Sequence, residues 1–314
     1  MHPLDFARDV LASQAPLILD GGLATELERR GHDVSGPLWS ARLLADAPEA
    51  IEQLHYDYFD AGARCVISAS YQASFEGFAA LGLDDDETEA LLVRSIALAR
   101  GARERYASSP GAGHDSRARY VAASVGPYGA TRHDGSEYHG EYGLSVAQLI
   151  AFHARRFQVL AESDADVVAC ETIPSLEEVR ALLALARDHP GTHAWVSCTS
   201  HDGAHTAHGE PLGEVARLAD DVENVVAVGV NCVRPEVVLP SIRALRGGTD
   251  KPIVAYPNSG EQWNAERRGW DGSPSAMLEQ LAPSWVEAGA RIVGGCCRTG
   301  PAQIAWLARH LDGA

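Results

Sequence analysis

The chain has no run of eighteen apolar residues, and Met1-His2-Pro3-Leu4-Asp5 offers neither the basic start nor the apolar stretch of a secretion signal. A cytoplasmic protein with no membrane partner is the expectation. Basic residues are scarce: 26 Lys and Arg stand against 43 Asp and Glu, a formal net charge of -17. A nucleic-acid or anionic-membrane binder needs a basic face, so both partner classes are excluded, and small or cationic ligands suit the balance better. Gly-x-Gly-x-x-Gly and phosphate-loop patterns are missing from any strand-to-helix setting, which leaves nucleotide binding without support. The six cysteines, at 65, 170, 198, 232, 296 and 297 of 314 residues, are too sparse for the disulfide framework of a small secreted fold. They read as free or metal-bound thiols.

What is present is an alternation. Eight short runs rich in Val, Ile and Ala, at 17–19, 65–70, 120–125, 166–170, 194–198, 225–232, 252–256 and 291–294, are each followed by a stretch with helical periodicity. Ala61-Gly62-Ala63 and Ala288-Gly289-Ala290 place a glycine where a helix should end before a strand. Eight strand and helix units in about 300 residues predict an α/β fold, the single-domain (β/α)8 TIM barrel, over 1–314. A doubly wound sheet with an added domain is the alternative. Two glycine- and aromatic-rich stretches, 127–142 and 257–274, follow the third and seventh runs and are candidate lids; 108–119 precedes a strand and reads as a solvated loop on the inert face.

In such a barrel the polar residues ending the strands ring one mouth: Asp20, Ser68, Ser70, Ser124, Glu171, Thr172, Asn231, Cys232, Asn258, Cys296 and Cys297 among them. Cys65, Cys170 and Cys198 read as small core hydrophobes. Cys296 and Cys297 are adjacent, and both can face one ion only where the backbone leaves the strand alternation, a freedom assigned to Gly294-Gly295. With Cys232 they make three soft ligands that suit Zn²⁺; three buried small side chains are the equal alternative. If metal is bound, the missing fourth ligand favours an open, catalytic site. Asp20-Gly21-Gly22 reads first as a tight turn with glycine at positive φ, and second as amides receiving a carboxylate at a helix start. Glu171 either caps a helix or holds a cation such as an ammonium group. The loop histidines, His133, His139, His201, His205 and His208, read as solvated and not as ligands.

The blocks Leu19-Asp-Gly-Gly-Leu-Ala-Thr-Glu-Leu27, Ile67-Ser-Ala-Ser-Tyr-Gln-Ala-Ser74, Ser124-Val-Gly-Pro-Tyr-Gly129, Asp134-Gly-Ser-Glu-Tyr138, Ala169-Cys-Glu-Thr-Ile-Pro174, Val230-Asn-Cys232, Tyr256-Pro-Asn-Ser-Gly-Glu261 and Gly294-Gly-Cys-Cys-Arg-Thr299 span nearly the whole chain. Through them it resembles the homocysteine S-methyltransferase family, most of all its single-domain branch using S-methylmethionine. The resemblance implies a barrel whose Zn²⁺ is held by Cys232, Cys296 and Cys297 and completed by the homocysteine sulfur. It implies further that Asp20, Gly21 and Glu171 hold the amino-acid end of homocysteine, with Ser70, Gln72 and Asn258 as pocket members. The expected methyl donor is S-methylmethionine, with S-adenosylmethionine as a poorer one and betaine behind both. Tyr128, Tyr138, Tyr142, Trp263 and Trp270 either contact the sulfonium through cation–π attraction or pack the loops on the rim. The rival functions are methyl transfer to selenocysteine or another thiol, a zinc hydrolase, and a non-enzymatic protein with a structural zinc site made of the three cysteines.

Overall fold

The computed structural model describes residues 5–311 except 14, 35–38, 111, 113–116, 133, 265–268 and 272–276, and only the backbone at 39–40, 262–264 and 269–270. Among the described residues ten strands occur in the order β1 (Leu17–Ile18), β2 (Cys65–Ile67), β3 (Tyr120–Val125), β4 (Val167–Ile173), β5 (Ala194–Cys198), β6 (Val225–Asn231), β7 (Ile253–Tyr256), β8 (Gln262–Asn264), β9 (Gly269–Asp271) and β10 (Ala290–Val293). Eight of them pair in parallel in the order β1-β10-β7-β6-β5-β4-β3-β2. The two ends of this sheet meet through a parallel bridge between Leu19 and Cys65, with the Asp20 amide donating to the Cys65 carbonyl at 3.0 Å. The result is a (β/α)8 TIM barrel. The remaining pair, β8 and β9, is an antiparallel hairpin inside the loop after β7.

Side chains alternate across each strand, which sorts the apolar residues into two cores. Trp195, Ala227, Val167 and Val254 point to the barrel axis and belong to an inner cluster; Val196, Val228 and Val168 point outward and join the large cluster beneath the helices. The helix Phe6–Ala12 adds Phe6 and Val10 to the inner cluster, with the Phe6 ring stacked 5.9 Å from Trp195 and edge-on at 5.2 Å to Tyr120. It fills the end of the barrel that the eight strand termini leave open. Gly62 and Gly289 take φ of 104° and 112° just after their helices, as their place in the sequence predicts. Among the described residues no helix is long and apolar enough to cross a membrane.

Gly229 of β6 shows how tightly the strands approach. A β-carbon there would lie 1.7 Å from the Val254 carbonyl oxygen of β7, a backbone atom that cannot move without breaking the ladder. Gly229→Ala should therefore destabilise the barrel by about 3 kcal/mol, the upper end of an overpacking cost. Thermal unfolding checks this; a melting temperature within a degree of wild type would show that β6 and β7 can part.

Candidate active site

Three thiols converge where β6 and β10 end. Cys232 follows directly on β6 with φ of 53°, a left-handed conformation unusual for a side-chain-bearing residue, and its amide donates to the Tyr256 carbonyl at 3.2 Å. Its sulfur lies 3.9 Å from that of Cys297, and the sulfurs of Cys232, Cys296 and Cys297 all lie within 4.8 Å of one another. Sulfurs bonded at about 2.3 Å to a tetrahedral ion stand about 3.8 Å apart, so the set fits a single soft cation. No His, Asp or Glu joins the group among the described residues. The electrostatics agree: hydrogen bonds from Cys296 and Cys297 hold the Cys232 thiol well below its usual range, while the same contacts push Cys296 and Cys297 well above theirs. The cluster by itself supports one thiolate, and three require a cation among them.

The turn carrying Cys296 and Cys297 is held from several sides. The Cys296 amide donates to the Pro257 carbonyl at 2.7 Å, and the Cys297 amide to Oδ1 of Asn258 at 3.1 Å. Arg298, at φ 66°, reaches back with a two-pronged ion pair to Glu261, at 3.0 and 3.1 Å. The two glycines before the cysteines serve space and not unusual dihedrals, since neither has a positive φ. A β-carbon on Gly294 would meet that of Leu19 at 2.5 Å, and one on Gly295 would meet Oγ1 of Thr299 at 2.1 Å. Gly21 and Gly22 behave alike, with β-carbons that would strike the carbonyls of Thr299 at 2.3 Å and Cys296 at 2.6 Å. The positive-φ turn read for Asp20-Gly21-Gly22 is absent, because β1 must lie against the cysteine turn.

Glu171, in β4, is the carboxylate closest in kind to the expected ligand for an ammonium group. Burial pushes it up to about 7, while hydrogen bonds from the Ser124 and Tyr256 hydroxyls pull it the other way. Its neighbour Thr172 sits at φ 63°, rare for a β-branched residue, and is clamped there by Asn231. The Thr172 amide donates to Oδ1 of Asn231 at 2.6 Å, and Nδ2 of Asn231 donates to Oγ1 of Thr172 at 2.8 Å. Ser197 also donates to Oδ1 of Asn231 at 2.8 Å. One buried amide thus ties the residue before Cys232 to the residue after Glu171.

A cavity of about 720 Å³, counting the solvent space at its mouth, opens beside the thiols, lined by Gly21, Gly22 and the helix start behind them, by Tyr71, Glu137 and Tyr138, and by Glu171, Thr172, Tyr256 and the three cysteines. Asp20, Ser70, Gln72 and Asn258 are buried outside that lining. Oδ2 of Asp20 accepts from the Ile67 amide at 2.8 Å, and burial holds its carboxyl well above the usual range. Ser70 donates to the Ser124 carbonyl at 2.8 Å, and Gln72 donates to the Ala130 carbonyl at 3.0 Å, supporting the loop after β3. Of the five aromatic residues read in the loops, Tyr138 faces the cavity, its hydroxyl 3.5 Å from the Cys232 sulfur. Tyr128 packs edge-on against Tyr142 and Phe152 at 5.1 and 4.9 Å, and the side chains of Trp263 and Trp270 lie outside the described residues. His201, His205 and His208 pair with the Tyr138 carbonyl, Asp202 and Glu210; His133 lies outside the described residues. Among the lining residues without a role legible in the sequence are Tyr71, Glu137 and Tyr256.

A parallel barrel with three thiols gathered at the carboxyl ends of its strands, beside a cavity lined by Glu137 and Glu171, has the make-up of a barrel enzyme with a candidate metal site. Residues 17–311 match the family profile of homocysteine S-methyltransferase. The homocysteine S-methyltransferase of Escherichia coli is 47% identical over 303 residues, covering 96% of each chain, and homocysteine S-methyltransferase YbgG of Bacillus subtilis is 43% identical over 98% of this chain and 97% of its own. The metallated form of the homocysteine methyltransferase MmuM from Escherichia coli superposes with a TM-score of 0.87 at 44% identity, covering 96% of this chain and 98% of that one. The chain belongs to the homocysteine S-methyltransferase family, and it is an enzyme.

Proposed function

We propose that this protein moves a methyl group from a sulfonium amino acid, S-methylmethionine before S-adenosylmethionine, to the sulfur of homocysteine, with zinc at Cys232, Cys296 and Cys297. The observation that carries the reading is the set of three converging thiols with no fourth protein ligand among the described residues, at the edge of a cavity that Glu137 and Glu171 also line. Zinc held by Cys232, Cys296 and Cys297 would supply the charge that keeps the homocysteine sulfur a thiolate, which a free thiol with a pKa of about 8.5 is not at neutral pH.

The chain's own residues then have a positioning task. Glu171 takes the ammonium group of homocysteine, and Asp20 is buried beside it at the same strand ends, its carboxyl held well above the usual range by burial and by Glu171. Gly21 and the amides at the start of the helix Leu23–Arg29 receive the carboxylate. The homocysteine sulfur forms a bond to the transferred methyl as the bond from that methyl to the donor sulfonium breaks. The electron pair of the broken bond stays on the departing sulfur, giving a second methionine, and the thiol proton goes to solvent. No acid is needed to expel a neutral thioether, so catalysis rests on alignment.

The test is methionine formation by reduced protein of measured zinc content, given homocysteine with S-methylmethionine, S-adenosylmethionine or betaine. Turnover fastest with S-methylmethionine, at one zinc per chain, is expected. A zinc-loaded protein inactive with all three donors would overturn the reading.

A further inference from the structure

Glu137 lines the same cavity as Glu171, yet homocysteine binding leaves it without a role. It sits in the short 3-10 turn Ser136–Tyr138 of the loop after β3, and its Oε2 is buried with no hydrogen-bond partner among the described residues. The turn that carries it is fixed. The Ser136 amide donates to Oδ1 of Asp134 at 3.0 Å, the Tyr138 amide to the Gly135 carbonyl at 3.0 Å, and the Gly140 amide to the Ser136 carbonyl at 2.9 Å. Nε2 of His201 meets the Tyr138 carbonyl at 2.9 Å, and Gly129 packs so close that a β-carbon there would lie 2.4 Å from the Glu137 nitrogen. A carboxylate held this way is no mobile surface group. Among the described residues, the cavity lining contains no Lys, Arg or His to satisfy it. Buried carboxylate oxygens are paired in folded proteins, and a cationic group on a ligand in this cavity supplies the pairing charge that the lining does not.

The two substrates together bring three positive groups: one ammonium on homocysteine, and an ammonium and a sulfonium on the donor. Glu171, at the strand end, accounts for the first. The sulfonium loses its charge as the methyl leaves, so a carboxylate set against it would favour the ground state over the transition state and slow the reaction. The donor ammonium keeps its charge throughout and can be held without that penalty. Tyr138, the next residue, reaches the Cys232 sulfur, which places this turn at the thiol edge of the cavity where the donor must lie.

We propose that the Glu137 carboxylate binds the α-ammonium group of the methyl donor and so selects sulfonium amino acids over donors that carry their only charge at the reacting atom. The proposal rests on the reading of a sulfonium amino acid as donor. It accounts for the low place expected for betaine, which has no N–H to give.

The experiment compares wild type and Glu137→Gln with two donors, S-methylmethionine and 4-(dimethylsulfonio)butanoate. The second has the same sulfonium and carboxylate but no amine. The donor KM for S-methylmethionine should rise about 10- to 100-fold in the variant, as for loss of a buried charge-assisted hydrogen bond, with kcat falling far less. The KM for homocysteine and the zinc content should hold, and the amine-free donor should not distinguish the two proteins. Wild type should itself prefer S-methylmethionine by a similar factor, a readout that does not depend on the variant folding. Equal losses with both donors, a rise in homocysteine KM instead, or a wild type indifferent to the amine would overturn the assignment. Wild type that transfers no methyl from S-methylmethionine while using another class of donor would instead remove the donor reading beneath it.

Discussion

Cys297→Ser protein is expected to keep its barrel and to lose its metal and its turnover together. The fold should survive, because the Cys297 amide, not its sulfur, bonds Asn258, and Arg298 still anchors the turn to Glu261. The metal should not survive. Losing one of three thiolates removes roughly a third of a binding free energy of about 10–16 kcal/mol, so affinity falls on the order of 10³-fold. Turnover then loses at least about 30-fold from the small thiolate fraction of an unbound thiol at neutral pH, and more from lost alignment. Metal content by elemental analysis and methionine formation should be read on one sample, beside chelated wild type restored with zinc. Full turnover by the metal-free variant would take the metal out of the chemistry.

The barrel was legible because its signal is periodic. Each strand is an apolar run with a helix-like stretch behind it, and all eight runs are strands, although β2 ends at Ile67, earlier than the run 65–70, and β4 extends to Ile173, past the end of its own. The Phe6–Ala12 helix was passed over because only Phe6 and Val10 of its seven residues are buried, too few to mark a period. The β8 and β9 hairpin hides for a related reason, lying in a loop where no core imposes a pattern. The thiols were legible as a pair with a distant third because cysteine is rare here and these sit at strand ends. The reason for the surrounding glycines was not. Positive φ is the ordinary explanation of a glycine pair, and only the structure shows that the segment leaving β1 and the cysteine turn press together at Gly21, Gly22 and Gly294, while the Thr299 side chain fills the space at Gly295.

Glu137 lies within the block Asp134-Gly-Ser-Glu-Tyr138, yet its place in the cavity is not legible there, for a physical reason. A strand end announces where its side chain goes; a turn residue in a loop does not, since its direction depends on contacts such as those of Gly135, Gly140 and His201. Asp20 is the converse. Its strand-end position was plain, but its carboxylate is taken by the Ile67 amide and lies outside the cavity lining.

Glu171→Gln should raise the KM for homocysteine about 10- to 100-fold while leaving bound metal unchanged. The amide keeps an acceptor for the Ser124 hydroxyl, so the loss is one of charge and not of shape. A pH dependence accompanies it. Burial raises this carboxyl to about 7, so the form that binds ammonium is present above that pH and is lost as pH falls through it. Wild-type KM for homocysteine should therefore climb about tenfold per unit below that point, and the climb should be missing from the variant, whose own profile removes the contribution of the titrating thiols. Three thiolates with a dication carry the same net charge as the single thiolate of the bare cluster, so metal loading leaves the field at Glu171 similar. An unchanged homocysteine KM would deny Glu171 contact with substrate, and loss of metal would make it a support of the thiols instead. Combined with Glu137→Gln, the two effects should fall on different substrates and multiply, as the assignment of each carboxylate to a different ammonium group requires.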